Sequence, residues 1–317
     1  MHFLKLIRPL NLIIIGATMY CLGWYFDLIN ASANISLISS FEFFLLVFST
    51  IVIAAGGNII NDYFDVRADR INRPERMVVA RHMKRRWAIV LHWVMNFIAF
   101  GIAVYLTYVN KTFWYVFIHL LSINLLWFYS MQLKRTVVIG NVVIALLTSL
   151  VPVLVGIFYN QHLHGVVLNQ PYPFDLINSE DYYVYFGIGI GIFAFVLNWT
   201  REIIKDIEDV EGDKVIKAKT IPIVFGIRKA KIIAMISLLA TVLLSFILIW
   251  SYSAGYISDY MSFSPLLISA LIIIITLFKL GYSKTKKDFS NVNALIKVTM
   301  IIGLLLPLYW SIRLIVG

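Results

Sequence analysis

Nine runs of apolar residues, each about 20 residues long, alternate with polar connections along the chain. They fall at about 11–29, 41–61, 88–109, 112–130, 136–158, 182–204, 232–252, 264–282 and 295–315. Runs of this length and apolarity predict helices that span a bilayer, where the backbone must satisfy its own hydrogen bonds. The expected fold class is an all-α integral membrane protein: a single transmembrane domain over 1–317 with nine helices. The longest connection expected on the outer side, about 159–181, is polar, acidic and contains Pro, and reads as a surface loop without chemistry.

Composition agrees with the pattern. The chain is 60% hydrophobic and 14% charged, against roughly 45–50% and about 25% for soluble domains. The N-terminal stretch MHFLKLIRPLN runs into the first apolar span with no small-residue cleavage site, which predicts that the span is retained. The single cysteine, Cys21, lies inside that span and allows neither an intrachain disulfide nor a cysteine-based metal site.

The net charge of +10 would fit nucleic acid, but its distribution points to membrane topology instead. Of the 27 basic residues, all but Lys111 and Arg313 lie at the N-terminus, in alternate connections or at the span ends beside them, on one face. By the positive-inside rule that face is cytoplasmic, so the N-terminus and the mouth of any site there face the cytoplasm of the cell membrane and the C-terminus is external. No nucleic-acid partner is expected.

One polar pattern occurs twice on that face. Asp-x-x-Asp-x-x-x-Asp appears as Asp62, Asp65 and Asp69 after the second span, and as Asp206, Asp209 and Asp213 after the sixth. In a helix, residues at i, i+3 and i+7 share a face, so each copy projects three carboxylates together. Like charges gathered this closely require cations to offset them. Oxygen ligands suit Mg²⁺, which is commonly held by a few carboxylates and substrate phosphates. The doubled pattern therefore points to a diphosphate bridged by Mg²⁺. The copies stand 144 residues apart, consistent with two four-helix pseudo-repeats followed by a ninth helix.

Neighbouring residues extend the constellation. Asn58 and Asn61 lie one turn before the first aspartates and are suited to ligate metal or contact phosphate, or to cap the helix. Arg8, Arg67, Arg73, Lys134 and Lys205 are the cations expected at the phosphates, while the other basic residues serve topology near anionic headgroups. Tyr129, Tyr63 and Asn141 are placed to line a pocket, and an aromatic face stabilises a developing cation; interfacial anchoring is the commoner role of such Tyr. Gly56 and Gly57 suit close helix packing. His82, His92, His119, His162 and His164 form no metal-ligand spacing. There is no P-loop, no Rossmann loop and no Asp-Gly-x-x-Ala-Arg motif.

These residues resemble those of the UbiA superfamily of intramembrane prenyltransferases. The resemblance rests on IRPLN (7–11), NDYFDVRAD (61–69) with NRP (72–74), YSMQLKR (129–135), KDIEDVEGD (205–213) and AKTIPIVFG (218–226). It implies nine helices around a central cavity with both motifs at its cytoplasmic mouth. It further implies that Asn61, Asp62, Asp65, Asp69, Asp206, Asp209 and Asp213 bind Mg²⁺-diphosphate. Arg8, Lys134 and Tyr129 match positions near the diphosphate and reacting centre. REIIKDIEDVEGD (201–213) most resembles the digeranylgeranylglyceryl phosphate synthase branch, and homogentisate prenyltransferases carry a similar second motif. Two places depart from that branch. After NRPER the usual Pro-rich turn ending in Ser-Gly reads MVVARHM, and a usual Gly after the second motif is Lys217.

The resemblance implies Mg²⁺-dependent transfer of a polyprenyl group from its diphosphate to a lipid acceptor, the hydroxyl of a prenylglyceryl phosphate. The alternative acceptor is an aromatic ring such as homogentisate, 4-hydroxybenzoate or a naphthoate. Asp65, Asp69, Asp206, Asp209, Lys134 and Tyr129 are then the catalytic candidates. Arg8, Asn58, Asn61, Arg67, Arg73, Lys205 and Asn141 are the substrate-binding ones, and membrane lipids surround the whole. A transporter with acidic gates is the competing class, but transporters place their charges near the midplane, whereas these cluster at one mouth.

Overall fold

The structure is a computed structural model and describes residues 2–32, 39–161, 181–253 and 263–316. Its helices are α1 (His2–Ile7), α2 (Pro9–Ser32), α3 (Ser40–Asn72), α4 (Arg85–Val109), α5 (Trp114–Met131), α6 (Ile139–Asn160) and α7 (Tyr182–Glu208). They continue as α8 (Val210–Val215), α9 (Ile221–Phe225), α10 (Ile227–Ser253), α11 (Ser264–Tyr282) and α12 (Lys286–Val316). Among the described residues, nine of these are long and apolar enough to cross a membrane. The protein is an all-α, multi-pass integral membrane protein. Most of the connection expected at 159–181 lies outside the described residues.

Three helix ends differ from the sequence expectation, each for a local reason. The second span was expected to stop at 61, yet α3 runs on to Asn72. Residues 62–72 are polar but contain no helix breaker, and the helix ends only where Arg73 N donates to Asp69 O just before Pro74. The ninth span was expected from 295, yet α12 starts at Lys286. Thr285 and Asp288 cap it reciprocally: Asp288 Oδ2 accepts from Thr285 N at 2.8 Å, and Thr285 Oγ1 accepts from Asp288 N at 3.2 Å. The second aspartate copy was expected on one continuous helix, but α7 stops at Glu208 and α8 begins at Val210, with Asp209 at the break.

By its internal contacts the chain divides into two compact units. The first comprises Met1–Gly16, Ser39–Leu147 and Asp209–Ile227; the second comprises Ala17–Ile38, Thr148–Glu208 and Arg228–Gly317. In the first unit, Leu6, Ile59, Val66, Val78, Val79 and Ala88 form a buried cluster that ties α1, α3, the 78–83 turn and the start of α4 together. That cluster sits directly under the polar end of α3. In the second unit, Tyr25, Phe26, Tyr159, Tyr183 and Phe186 pack ring against ring, with the Phe26–Tyr183 centroids 4.5 Å apart. The Tyr183 hydroxyl donates to Asn30 Oδ1 within that cluster, so its polar end is satisfied despite burial. Large apolar side chains such as Phe97, Tyr108, Trp250 and Phe278 point outward, as a lipid-facing surface requires.

Candidate functional site

Asp62, Asp65 and Asp69 lie on the last three turns of α3, all in the first unit. At about 100° per residue they span an arc of roughly 60°, so α3 presents them as one acidic strip. Arg67 lies roughly 170° from the centre of that strip. It is exposed, and the structure does not bring it to the carboxylates.

The strip is met by cations from two other segments. Arg8 Nη2 donates to Asp62 Oδ1 at 2.6 Å. Arg8 stands between α1 and α2 with a φ of 56°, a left-handed conformation in which a non-glycine residue is strained. The segment is held from α3, since Asn58 Nδ2 donates to Ile7 O at 2.9 Å. Asn58, expected at metal or phosphate, thus orients the backbone that carries Arg8. Lys134 Nζ donates to Asp65 Oδ1 and, at 3.1 Å, to Asn61 Oδ1. The Lys134 side chain is only 11% exposed, so this pair is largely shielded from water. It projects from a tight turn at Leu133–Arg135 that packs against Gly140. A Cβ on residue 140 would lie 2.6 Å from Leu133 O and 2.7 Å from Lys134 Cα, so only glycine lets α6 start this close.

The second motif divides at its middle aspartate. Asp209 and Asp213 belong to the first unit with α8, whereas Asp206 and Lys205 belong to α7 in the second. Arg73 Nη2 donates to both Asp209 carboxylate oxygens, at 2.9 and 3.1 Å. Asn72 completes the join: its Nδ2 donates to Asp209 O at 3.0 Å and its Oδ1 accepts from Gly212 N at 2.9 Å. An N-terminal Asp normally caps its own helix by accepting from the third backbone N–H. Here the Asp209 carboxylate is turned toward Arg73 and makes no such bond, and Asn72 supplies the cap from α3. Gly212 permits the contact, because a Cβ there would lie 2.8 Å from Ala68 O and would collide with the Asn72 amide.

Sequence reasoning did not single out Asn72, Gly140 or Gly212. Asn72 carries no signal beyond its place in the run Asn72-Arg73-Pro74. Tyr129 and Asn141 are buried, near the end of α5 and the start of α6. The Arg85 guanidinium lies 4.6 Å from the Tyr63 ring centroid, a cation–π contact that occupies one face of that ring. Lys205 is tied to Glu202 at 3.1 Å within α7.

Three motif carboxylates are thus each paired with a cation, Asp62 with Arg8, Asp65 with Lys134 and Asp209 with Arg73. Among the described residues no three His, Cys, Asp or Glu side chains converge to hold a metal ion by themselves. The donor set fits a hard divalent cation, with carboxylate and amide oxygens and no sulfur or imidazole, provided that substrate phosphates complete the shell. The cations have a second use, since guanidinium and ammonium groups bind phosphate oxygens as readily as carboxylates. An Mg²⁺-diphosphate can therefore exchange partners with these pairs.

Residues 28–301 match the model of the UbiA prenyltransferase family. The digeranylgeranylglyceryl phosphate synthase of Thermococcus gammatolerans is 31% identical over 303 residues, covering 95% of this chain and 95% of that one. That of Methanothermobacter thermautotrophicus is 28% identical over 94% of this chain and 92% of its own. Among solved structures, one concerned with digeranylgeranylglyceryl phosphate synthase in membranes has a TM-score of 0.66 at 23% identity, covering 98% of both chains. A UbiA homologue from Archaeoglobus fulgidus bound to GPP and Mg²⁺ has a TM-score of 0.59 at 18% identity, covering 96% of this chain and 98% of that one. Likeness at these identities establishes the fold.

Proposed function

The chain belongs to the UbiA prenyltransferase family, and from that premise we propose that it transfers a polyprenyl group, geranylgeranyl in the leading case, from its diphosphate to the hydroxyl of a prenylglyceryl phosphate. The product is an ether lipid. The observation that carries this reading is the pairing of the motif carboxylates Asp62, Asp65 and Asp209 with Arg8, Lys134 and Arg73. The relatives named digeranylgeranylglyceryl phosphate synthase, alike over nearly the full length, support the choice of acceptor.

Asp62, Asp65, Asp69, Asp209 and Asp213, with Asn61, are the residues proposed to hold Mg²⁺, and Asp206 joins them on its place in the motif. When bound, the metal neutralises charge on the diphosphate and makes it a better leaving group. As the donor arrives, Arg8, Lys134 and Arg73 turn from their carboxylates to phosphate oxygens. They hold the diphosphate in place and stabilise the charge that grows on it as the allylic C–O bond breaks. The acceptor hydroxyl oxygen then bonds to that carbon. Its proton passes to the released diphosphate or to a carboxylate, for which Asp69 and Asp206 are the candidates. An apolar surround keeps water from the developing cation. The site faces the cytoplasm in this reading, as the basic connections require.

Purified protein with Mg²⁺, geranylgeranyl diphosphate and a panel of acceptors tests the proposal. The expected product, identified by mass spectrometry, is digeranylgeranylglyceryl phosphate from the phosphorylated glycerol ether. Transfer to homogentisate, 4-hydroxybenzoate or dihydroxynaphthoate instead would replace the acceptor assignment. Asp65→Ala and Asp209→Ala are each expected to abolish transfer with helical content unchanged. Full activity in either variant sinks the reading.

A further inference from the structure

The last turns of α7 carry a second cluster of charge that lies wholly within the second unit. Arg201 Nη1 donates to Glu202 Oε1 at 2.8 Å, and Lys205 Nζ donates to Glu202 Oε2 at 3.1 Å. Arg201 Nη1 also reaches Asn198 Oδ1 at 3.3 Å, and Asn198 Nδ2 donates to Thr148 Oγ1 of α6 at 2.7 Å. Residues 198, 201, 202 and 205 share one face of the helix, an arc of roughly 100°.

Two features mark this cluster as more than packing. Two cations share one carboxylate, so a positive charge is left over where the Glu202 side chain is only 6% exposed. Arg201 Nε is buried and has no hydrogen-bond partner among the described residues. A surplus charge beside a surplus donor is what an anion completes. Topology does not explain the pair. Cations that set membrane orientation extend their heads toward the lipid phosphates. Arg201 and Lys205 are instead 16% and 21% exposed and fold back onto Glu202.

We propose that Arg201, Lys205 and Asn198 form a subsite for a phosphate monoester, the phosphate of the prenylglyceryl phosphate acceptor, and that Glu202 is a positioning residue that holds the two cations. This rests on the acceptor assigned above. The planar fork of Arg201 suits two phosphate oxygens, and Lys205 adds a point charge. Asp206 follows on the same helix, about 6 Å along the axis from Glu202. The subsite therefore sets the acceptor phosphate at a fixed distance from Asp206 on the same helix. The same chemistry is offered by the donor diphosphate and by phosphodiester headgroups, and the experiment must separate all three.

The test is equilibrium binding to the full-length protein in detergent, without turnover. The probes are geranylgeranylglyceryl phosphate, its dephosphorylated alcohol and geranylgeranyl diphosphate, each measured alone. Wild type is expected to prefer the phosphorylated lipid over the alcohol by about tenfold or more. Arg201→Gln should erase most of that preference and leave the alcohol and diphosphate affinities within about twofold. Arg201→Lys, which keeps the charge but loses the fork, should fall between. It also serves as the second variant if Arg201→Gln does not fold. In the transfer assay, Glu202→Gln should raise the acceptor KM and leave the donor KM unchanged. The proposal falls if wild type binds the phosphate and the alcohol equally. It falls if Arg201→Gln weakens the diphosphate in parallel, or if phosphatidylglycerol competes as well as the monoester. Wild-type binding that depends on Arg201 but leads to no transfer would overturn the assigned acceptor chemistry and leave the phosphate subsite standing.

Discussion

Lys217 closes α8 in a conformation that other helices reserve for glycine. Its φ is 55°, Ala218 N donates to Asp213 O at 2.9 Å, and Lys217 N donates to Lys214 O at 3.1 Å. This pair of bonds is a Schellman motif, whose left-handed position is usually Gly. The branch that the sequence resembles has Gly here, so the substitution keeps the geometry and accepts the strain. Ala80, with a φ of 70°, does the same in the 78–83 turn, where Ala80 N donates to Met83 O at 2.8 Å and the resemblance expects Ser-Gly. Both departing segments therefore contain a non-glycine residue in the left-handed region. Lys217→Gly is expected to stabilise the protein by about 1 kcal/mol, because an L-residue loses roughly 1–2 kcal/mol there. A raised midpoint of thermal inactivation in detergent checks this, and a lowered one refutes it. The sequence marked Lys217 and the run 77–83 as departures but did not give the φ of Lys217 or Ala80, which is set by the hydrogen bonds that close each loop. It was also silent on which cation meets which carboxylate. Five arginines, from Arg67 to Arg81, lie within or just after the first motif, and only the folded path of Arg73 at the end of α3 selects it over Arg67.

Between elements, the contact that matters most is α3 with α8. The aspartate spacing was readable as a helical strip on α3, because nothing in 62–72 interrupts the helix. The break at Asp209 was not readable, since neither Gly nor Pro stands there. It arises from tertiary contact: Asn72 caps Gly212 N and holds Asp209 O, while Arg73 takes the Asp209 carboxylate. Asn72→Ala removes two hydrogen bonds worth about 1 kcal/mol each, so a fall of about tenfold or more in kcat/KM is expected, with helical content unchanged. Gly212→Ala attacks the same join from the other side, and overpacking of this kind costs roughly 1–3 kcal/mol. Because both variants break one contact, the double variant should be no worse than the poorer single. Losses that simply add would mean that Asn72 acts elsewhere. Glycine 140 has the parallel role for Lys134, where a methyl group would displace the turn that aims the ammonium at Asp65.

For the molecule as a whole, class and span number were legible because lipid imposes a length and a polarity that few other constraints mimic. Orientation is carried by charge alone. The basic connections alternate strictly with the others, and Lys111 is the exception that calibrates the rule: it is exposed in the short turn between α4 and α5, on the side expected to be external. Lys284, exposed between α11 and α12, lies on the side expected to be cytoplasmic. Cys21 is the sole native thiol, so a Cys21→Ser background gives a clean reporter. In that background Lys111→Cys should react with a membrane-impermeant maleimide in right-side-out vesicles, and Lys284→Cys only in inverted ones. The opposite pattern would put the aspartate strip of α3 on the outer face, away from a cytoplasmic supply of prenyl diphosphate. Labelling of both from one side would contradict the odd number of spans that separates them, and with it the helix assignment itself.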